Sequence, residues 1–348
     1  MILYFTLAMK KKFLIILAGI CIIVCGAMIY CVLTRQMTIP FLYRYKAGNR
    51  YTIAVSKQNN PFVIDTASMK PLQWEDFEQH PICEFMADPF IVRDSDDFYI
   101  FYEEMPSKMN STWGDIAVLH SKDLEHWERI GVAIDEPFHM SFPNVFRYEG
   151  EWYMIPETKA MREIRLYMAV EFPLKWKYEK ALICDEYAVD PAIVRWNNIW
   201  YILYSSSKGL RLCYAEDLYA DWNEHPATPI RQDMEEQETR PAGNFMIYRD
   251  SLYCVYQRHD GGYGTSVVAY RIDSLSEDVF WETRLANNPI IQDHGSAWAK
   301  DGMHQLSCIY LPEEKAYVCV VDGNHVLNKK WGWDWRNLPK FRFRKWHK

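Results

Sequence analysis

Apolar and polar residues alternate with a period of two through most of the chain, and short polar turns interrupt the alternation at regular intervals. Residues 85–104, FMADPFIVRDSDDFYIFYEE, show the unit: an apolar run, a turn, and an aromatic-rich run that reads as the second arm of a β-hairpin. Residues 187–206, YAVDPAIVRWNNIWYILYSS, repeat it without a gap, so that Asp88 falls on Asp190, Arg93 on Arg195 and Tyr99 on Tyr201. A looser copy at 141–158, SFPNVFRYEGEWYMIPET, keeps Pro143, Arg147 and Tyr153. Another at 240–257, RPAGNFMIYRDSLYCVYQ, keeps Pro241 and Tyr253 with two extra residues between them. A third strand follows each hairpin, then an acidic turn and a tryptophan (Trp127, Trp176, Trp222, Trp281), then a short fourth strand such as ERIGVAI at 128–134. Four-stranded units recurring about every fifty residues predict propeller blades.

GMHQLSCIYLPEEKAYVCVVDG, residues 302–323, reads as a degenerate fifth unit. RYTIAVSKQNNPFVI, residues 50–64, is strand-like and precedes the first unit, where it can pair with the last and close the ring, removing exposed edges. The expected fold is all-β: a five-bladed β-propeller over 50–325 with no long helix inside it, preceded by one transmembrane helix. That helix is read from FLIILAGICIIVCGAMIYCVL, residues 13–33, 21 positions without a charge and long enough to span a bilayer. No small-x-small cleavage site follows it, which predicts an uncleaved signal anchor. The remaining segments are a short N-terminal tail (1–12), a linker (34–49) and a basic aromatic tail (326–348). Lys10, Lys11 and Lys12 on one flank nearly balance Arg35, Arg44, Lys46 and Arg50 on the other; the compact lysine cluster and very short tail favour a single-pass protein with its propeller on the extracytoplasmic side.

Charge and cysteine content narrow the partners. The net charge is −7, but the last twenty residues carry eight Lys/Arg and one Asp, so the rest carries −14. An acidic body argues against nucleic acid as a partner, whereas the tail, with Trp331, Trp333 and Trp335 among its basic residues, suits an anionic membrane surface. Aromatic residues make up 16% of the chain, which fits a β-rich core or a sugar-binding surface; the unit-end tryptophans are expected to pack blades. The nine cysteines include no CxxC or Cys/His zinc spacing and are expected as free thiols, those of the body buried on strands. No metal or cofactor site is predicted, although a channel cation is compatible with the carboxylates described next.

In a propeller the first strand of each blade lines the central channel and the second runs back beside it. Residues just before the repeated proline (Asp88, Phe142, Asp190, Arg240) and those four places after the repeated tyrosine (Glu103, Glu157, Ser205, Gln257) therefore converge on one mouth of the channel. Carboxylates crowded there push one another's pKa values apart, which suits one neutral acid beside one ionised base, the pair that glycoside cleavage needs. Glu157, in the apolar YMIPET, is the candidate acid; Asp88 is the candidate base or nucleophile; Asp190 tunes or orients them. Glu103, Arg240, Gln257 and His304 are the candidate substrate-binding residues, with Arg240 able to clamp an anionic group or hold a carboxylate and His304 placed on the first strand of the fifth blade. GGYG at 261–264 reads as a turn. An Asp-Pro at the start of a strand is also a common turn device, so a purely structural role for these aspartates stays open.

These features resemble the glycoside hydrolase family 43 and invertase-like clan of five-bladed propellers, in the Asp-Pro strand starts and the SKDLEHW that follows a third strand. ADPF, EPFHMSFP, MIPET, FPLKW, VDP, RPAGN, YGTSV and DGMH, in this order, resemble the N-terminal domain of plant glucosamine inositolphosphorylceramide transferases over nearly all of 50–325. The resemblance implies a carbohydrate-active propeller without settling its reaction, because the plant proteins carry a separate glycosyltransferase domain. The chain departs from the clan at Phe142, where an acidic residue is usual and where Asn144 stands two places on. It departs from the related domain in MHQLS, where a second histidine and an acidic residue are typical and Gln305 and Ser307 stand instead. Three functions follow: an enzyme that cleaves or transfers a glycosyl unit on a surface polysaccharide or glycolipid, a non-catalytic glycan-binding propeller, or a scaffold in envelope assembly. Neither the sugar nor the oligomeric state can be read from the residues.

Overall fold

A computed structural model describes residues 16–26, 42–45, 48–72, 83–106, 113–184, 186–232, 238–259, 262–293, 295–327 and 330–333. The propeller lies in one unit, built from five antiparallel sheets. The first blade runs outward through Cys83–Asp94, Asp97–Pro106, Asp115–Ser121 and Glu128–Ile134. The second uses Ser141–Tyr148, Glu151–Glu157, Glu163–Glu171 and Lys175–Cys184, and the third Val189–Trp196, Ile199–Ser206, Gly209–Ala215 and the short Asn223–Glu224. In the fourth, Met246–Tyr248 is a shortened inner strand beside Ser251–Arg258, Ser266–Leu275 and Phe280–Arg284.

The fifth blade has Leu306–Leu311 inside, Ala316–Leu327 next, and Gly48–Gln58 outside. The N-terminal strand thus pairs antiparallel with Ala316–Leu327, Tyr51 opposite Asn324 and Gln58 opposite Tyr317. This hides an edge that would otherwise stand open.

Period-two patterning dictates how the blades stack. Along Asp97–Pro106, Ile100 and Tyr102 face the fifth blade while Phe101 faces the second. The same alternation produces one apolar cluster at each blade junction: five/one around Ile53 and Val320, one/two around Val118 and Met154, two/three around Ile164 and Ile202, three/four around Leu212 and Val268, and four/five around Ala242 and Val321. Each fully buried large side chain there contributes roughly 1.5–3 kcal/mol relative to exposure. Among the described residues the propeller contains no long helix, only a short 3₁₀ turn at Lys159–Met161.

The unit-end tryptophans divide. Trp127 and Trp176 pack on blade junctions and donate their Nε1 hydrogens to the carbonyls of Leu124 (3.1 Å) and Pro173 (2.7 Å). Trp281 instead is 68% exposed, because Phe280 and not its neighbour turns inward on that edge strand. Among the body cysteines, Cys213, Cys254, Cys308 and Cys319 are buried free thiols as expected, but Cys184 is exposed at the end of an outer strand.

A separate unit holds a helix over 16–26 and a two-stranded antiparallel sheet of Leu42–Tyr45 with Lys330–Trp333. LYRY and KWGW alternate aromatic with polar or small residues, so strands form inside segments read from sequence as linker and tail. Among the described residues no helix is long and apolar enough to cross a membrane. The rest of 13–33, the tail 1–12 and most of 326–348 lie outside the described residues.

Candidate functional site

Three blades open with the same distortion. Pairing runs from Ala87↔Glu103 to Phe90↔Phe101, from Ser141↔Glu157 to Asn144↔Ile155, and from Val189↔Ser205 to Ala192↔Leu203. Each skip is a β-bulge at Asp88-Pro89, Phe142-Pro143 or Asp190-Pro191, where proline has no N–H to give the ladder. The residue before each proline takes a left-handed backbone, φ 53° at Asp88, 47° at Phe142 and 50° at Asp190. For a residue other than glycine this costs of order 1–3 kcal/mol and persists only when neighbours hold it. The neighbours here are carboxylates of the preceding blade. Asp88 N–H donates to Asp322 Oδ2 (3.1 Å), Phe142 N–H to Asp88 Oδ2 (3.1 Å) and Asp190 N–H to Glu157 Oε2 (3.3 Å). The bulge therefore re-aims each side chain into the channel and ties successive blades together at the mouth.

The predicted cluster assembles. Asp88, Glu103, Glu157 and Asp190 are each at most 5% exposed. Asp190 Oδ2 receives Arg240 Nε and Gln257 Nε2 (2.9 Å), and Arg240 also lies 4.0 Å from Glu157. Lys159, on the turn after the second strand of blade two, reaches Glu157 Oε1 at 2.8 Å. Gln257 spends its other amide hydrogen on the carbonyl of Pro241 (3.0 Å), so it braces Asp190 from within, fully buried. Ser205 is only half-buried, and Phe142 is fully buried in an apolar cluster edge-on to Phe90, ring centres 4.8 Å apart. His304 precedes the first strand of the fifth blade, which begins at Leu306, and reaches the mouth from that connector.

The environments separate these carboxyls. Burial opposes ionisation of Asp190, but the Arg240 charge and hydrogen bond, with help from Glu157 and Lys159, hold it below the usual range. Burial and then the Asp190 charge push Glu157 up to about 7, against Lys159 and Arg240. Burial also pushes Asp88 up to about 7, with His304 the largest opposing influence and Asp190 and Asp322 adding to the rise. Glu103 is raised well above its ordinary value by burial and then by Asp88, Glu157 and Asp190. His139 accepts the Gly114 N–H at Nδ1 (2.9 Å), so its proton sits on Nε2, 3.6 Å from Glu103. Burial, then Lys159, lowers it to about 4, which keeps it neutral.

Glu103 gives a direct test of this electrostatic picture. A Cβ on Gly114 would stand 2.6 Å from Glu103 Cγ, so the side chain is held in place against backbone. Its folded pKa lies above the unfolded value of about 4.3. The associated stability is present below that unfolded value and is lost as pH rises towards the folded one. Glu103→Gln cannot ionise. Its melting temperature is expected to match wild type at pH 4–5 and to exceed it at pH 8 by at least about 2 °C, the size of a shift worth 1 kcal/mol. Parallel melting curves at both pH values rule this out.

Sequence reasoning missed Asp322, Lys159, His139 and Tyr263. Asp322 occupies the second-strand column of the fifth blade, but that repeat has no proline at the start of its first strand and its Tyr317 is one place out of step. Tyr263, in the segment read as a turn, lies under the Arg240 guanidinium (5.2 Å) and edge-on to His304 (5.5 Å). Asp88, His304 and Asp322 bring one donor atom each within 4.8 Å of the others. Asp322 is already engaged: it accepts the N–H groups of Asp88, His304 and Gln305, and its Oδ2 lies 2.7 Å from His304 Nδ1.

Residues 77–324 match the family described as glucosamine inositolphosphorylceramide transferase 1, N-terminal. Glucosamine inositolphosphorylceramide transferase 1 of Oryza sativa subsp. japonica is 32% identical over 252 residues, covering 70% of this chain and 33% of that protein. The chain thus spans about a third of the length of the curated relatives it matches. Among solved structures, the α-L-arabinofuranosidase of Podospora anserina, in complex with cellotriose, superposes with a TM-score of 0.53 at 11% identity, over 79% of this chain and 98% of that one. A thermostable family-43 glycoside hydrolase gives 0.52 at 17% identity, over 73% and 96%. These two likenesses show a shared propeller fold.

Proposed function

The chain belongs to the glucosamine inositolphosphorylceramide transferase 1, N-terminal family, and on that premise we propose that its propeller is a carbohydrate-active domain that cleaves or transfers a glycosyl unit on a polysaccharide or glycolipid. The observation that carries the reading is the split between neighbours: Arg240 holds Asp190 ionised while burial and Asp190 itself push Glu157 up to about 7. A carboxyl that keeps its proton near neutrality can give it to a glycosidic oxygen. In this mechanism Glu157 protonates the departing oxygen. Asp88 takes the proton of the incoming water or acceptor hydroxyl, or attacks the anomeric carbon itself. Asp190 orients Glu157 and stabilises positive charge developing on the sugar ring. Asp190 Oδ1 and Gln257 Oε1, both buried and without a hydrogen bond among the described residues, are acceptors suited to sugar hydroxyls.

The names of the plant relatives favour a glycolipid among the substrates, and the charge-free run at 13–33 fits a membrane anchor that would hold the propeller beside it, on the extracytoplasmic side. A non-catalytic glycan-binding module is the second reading. It is favoured by the structural use of two of the same carboxylates, since Asp88 accepts the Phe142 N–H and Glu157 the Asp190 N–H of the next blade. Incubation of the full chain with labelled polysaccharides and glycolipids, analysed by mass spectrometry, separates the two. Product formation that disappears in Glu157→Gln supports the enzyme; binding without product replaces it with the module.

A further inference from the structure

The fifth blade brings to Asp88 a histidine whose orientation is fixed on every side. Asp322, fully buried, accepts the N–H groups of His304 (3.1 Å) and Gln305 (3.0 Å) on Oδ1, and the N–H of Asp88 (3.1 Å) on Oδ2. His304 Nδ1 lies 2.7 Å from the same Oδ2. Oδ2 already accepts an N–H, and a nitrogen this close to an accepting oxygen carries a proton, so Nδ1 is protonated and the contact is an ion-pair distance without an aligned hydrogen bond. Nε2 is then turned to Asp88 Oδ1, 3.6 Å away. The imidazole stacks on Tyr51 (4.6 Å between centres, 20° between planes) and meets the edge of Tyr263. A Cβ on Gly264, whose φ is +61°, would stand 2.7 Å from His304 Cβ, so the loop closes against the ring. Asp88 Oδ2 is already used by the Phe142 N–H, which leaves Oδ1, the oxygen His304 faces, for chemistry.

We propose that His304 is the positioning residue of Asp88: set beside Asp322 and facing Asp88 Oδ1, its doubly protonated ring counters the burial of Asp88 and favours the anion that a base or nucleophile must be. The inference deepens the proposed glycosyl chemistry and rests on it for the role given to Asp88. The charged and titratable groups facing the pair are Asp322 and Tyr51 from the fifth blade, Asp190 from the third, Arg240 and Tyr263 from the fourth, and Glu103 from the first. Their balance agrees with the geometry. Burial opposes a charge on His304, but the adjacent Asp322, then Asp88, raise its pKa, and His304 is in turn the largest influence opposing the rise of Asp88 to about 7.

The test is a ¹⁵N side-chain NMR titration of the full chain, with the His304 signal assigned by its loss in His304→Gln. Should that variant not fold, Asp88→Asn assigns it instead, through the ring nitrogen that shifts. At pH 7 both ring nitrogens are expected to be protonated in wild type and only one in Asp322→Asn. A singly protonated wild-type ring at pH 7 overturns the proposal, and so does a ring that ignores the Asp322 substitution. Where turnover is found, Asp322→Asn should also move the acid limb of the rate–pH profile upward by about one unit or more, with the rate recovering at higher pH, since less Asp88 is ionised near neutrality. An unmoved limb counts against the proposal. Absence of any turnover sinks the enzyme reading alone, because the titration still decides the charge of His304.

Discussion

Replacing Arg240 with methionine is expected to cost about 3–5 kcal/mol of folding stability at pH 8, the usual result of stripping one partner from a buried ion pair. The Arg240 side chain is 17% exposed and Asp190 1%, so water cannot take over the lost contact. Arg240 also stacks on Tyr263 and approaches Glu157, and both contacts go with it. The sign with pH follows from Asp190. Its folded pKa is depressed, so its contribution to stability is present above the unfolded value of about 3.9 and fades as pH falls through the folded one. Without the guanidinium the carboxyl is driven upward and folds protonated at moderate pH. The deficit of Arg240→Met should therefore be largest at pH 8 and shrink towards pH 5. Arg240→Lys keeps the charge but loses the planar donor and the ring stack, and should fall between. Urea unfolding at the two pH values measures all three proteins. A methionine variant as stable as wild type at pH 8 would show that Asp190 does not depend on this partner.

Much of this site is written in the repeat. The register that sets Asp88 on Asp190 and Glu103 on Glu157 also sets which side chains meet, because a bulge before each proline turns equivalent residues to one mouth. The β-propeller was legible for the same reason: period-two strands in units of constant length leave little else to build. What the repeat does not encode was missed. Lys159 comes from a turn, His139 from the connector into blade two and Tyr263 from a glycine-rich loop, and none of these shares a position with another blade. Asp322 was lost with the proline that would have marked its column, and His304 was placed two residues too far along, on a strand that starts only at Leu306. The exposed Trp281 shows the opposite error, a repeated residue whose packing role did not carry over to an edge strand. Contacts between blades are a property of ring closure, and closure has no local signature beyond the apolar strand at Gly48–Gln58.

Strain and chemistry coincide at the bulges. Asp88 and Asp190 adopt left-handed backbones in front of proline, a conformation doubly disfavoured by the side chain and by the ring that follows. Phe142 does the same in the second blade without offering a carboxylate, so the strain belongs first to the architecture. The aspartates are those positions at which the same device also delivers an ionisable group to the channel.

Asp88→Asn and Glu157→Gln should each lower turnover on the order of 10²-fold or more while leaving the fold intact. Both substitutions keep the shape of the side chain. Asparagine retains an acceptor for the Phe142 N–H, and glutamine one for the Asp190 N–H, so the links between blades survive. What is removed is the proton chemistry, together with the charge that faces His304 at Asp88 and Lys159 and Arg240 at Glu157. With Asp88 and Glu157 both pushed up to about 7, the ionised base and the protonated acid coexist over only a narrow range of pH. A base that must be ionised beside an acid that must be protonated then gives a narrow bell of activity centred near neutrality. Steady-state rates from pH 5 to 9, with melting temperatures recorded on the same samples, check both points. Full activity in either variant removes that residue from the reaction. A loss of rate matched by a collapse in melting temperature assigns the carboxylate to holding blades together, and the glycan-binding reading takes its place.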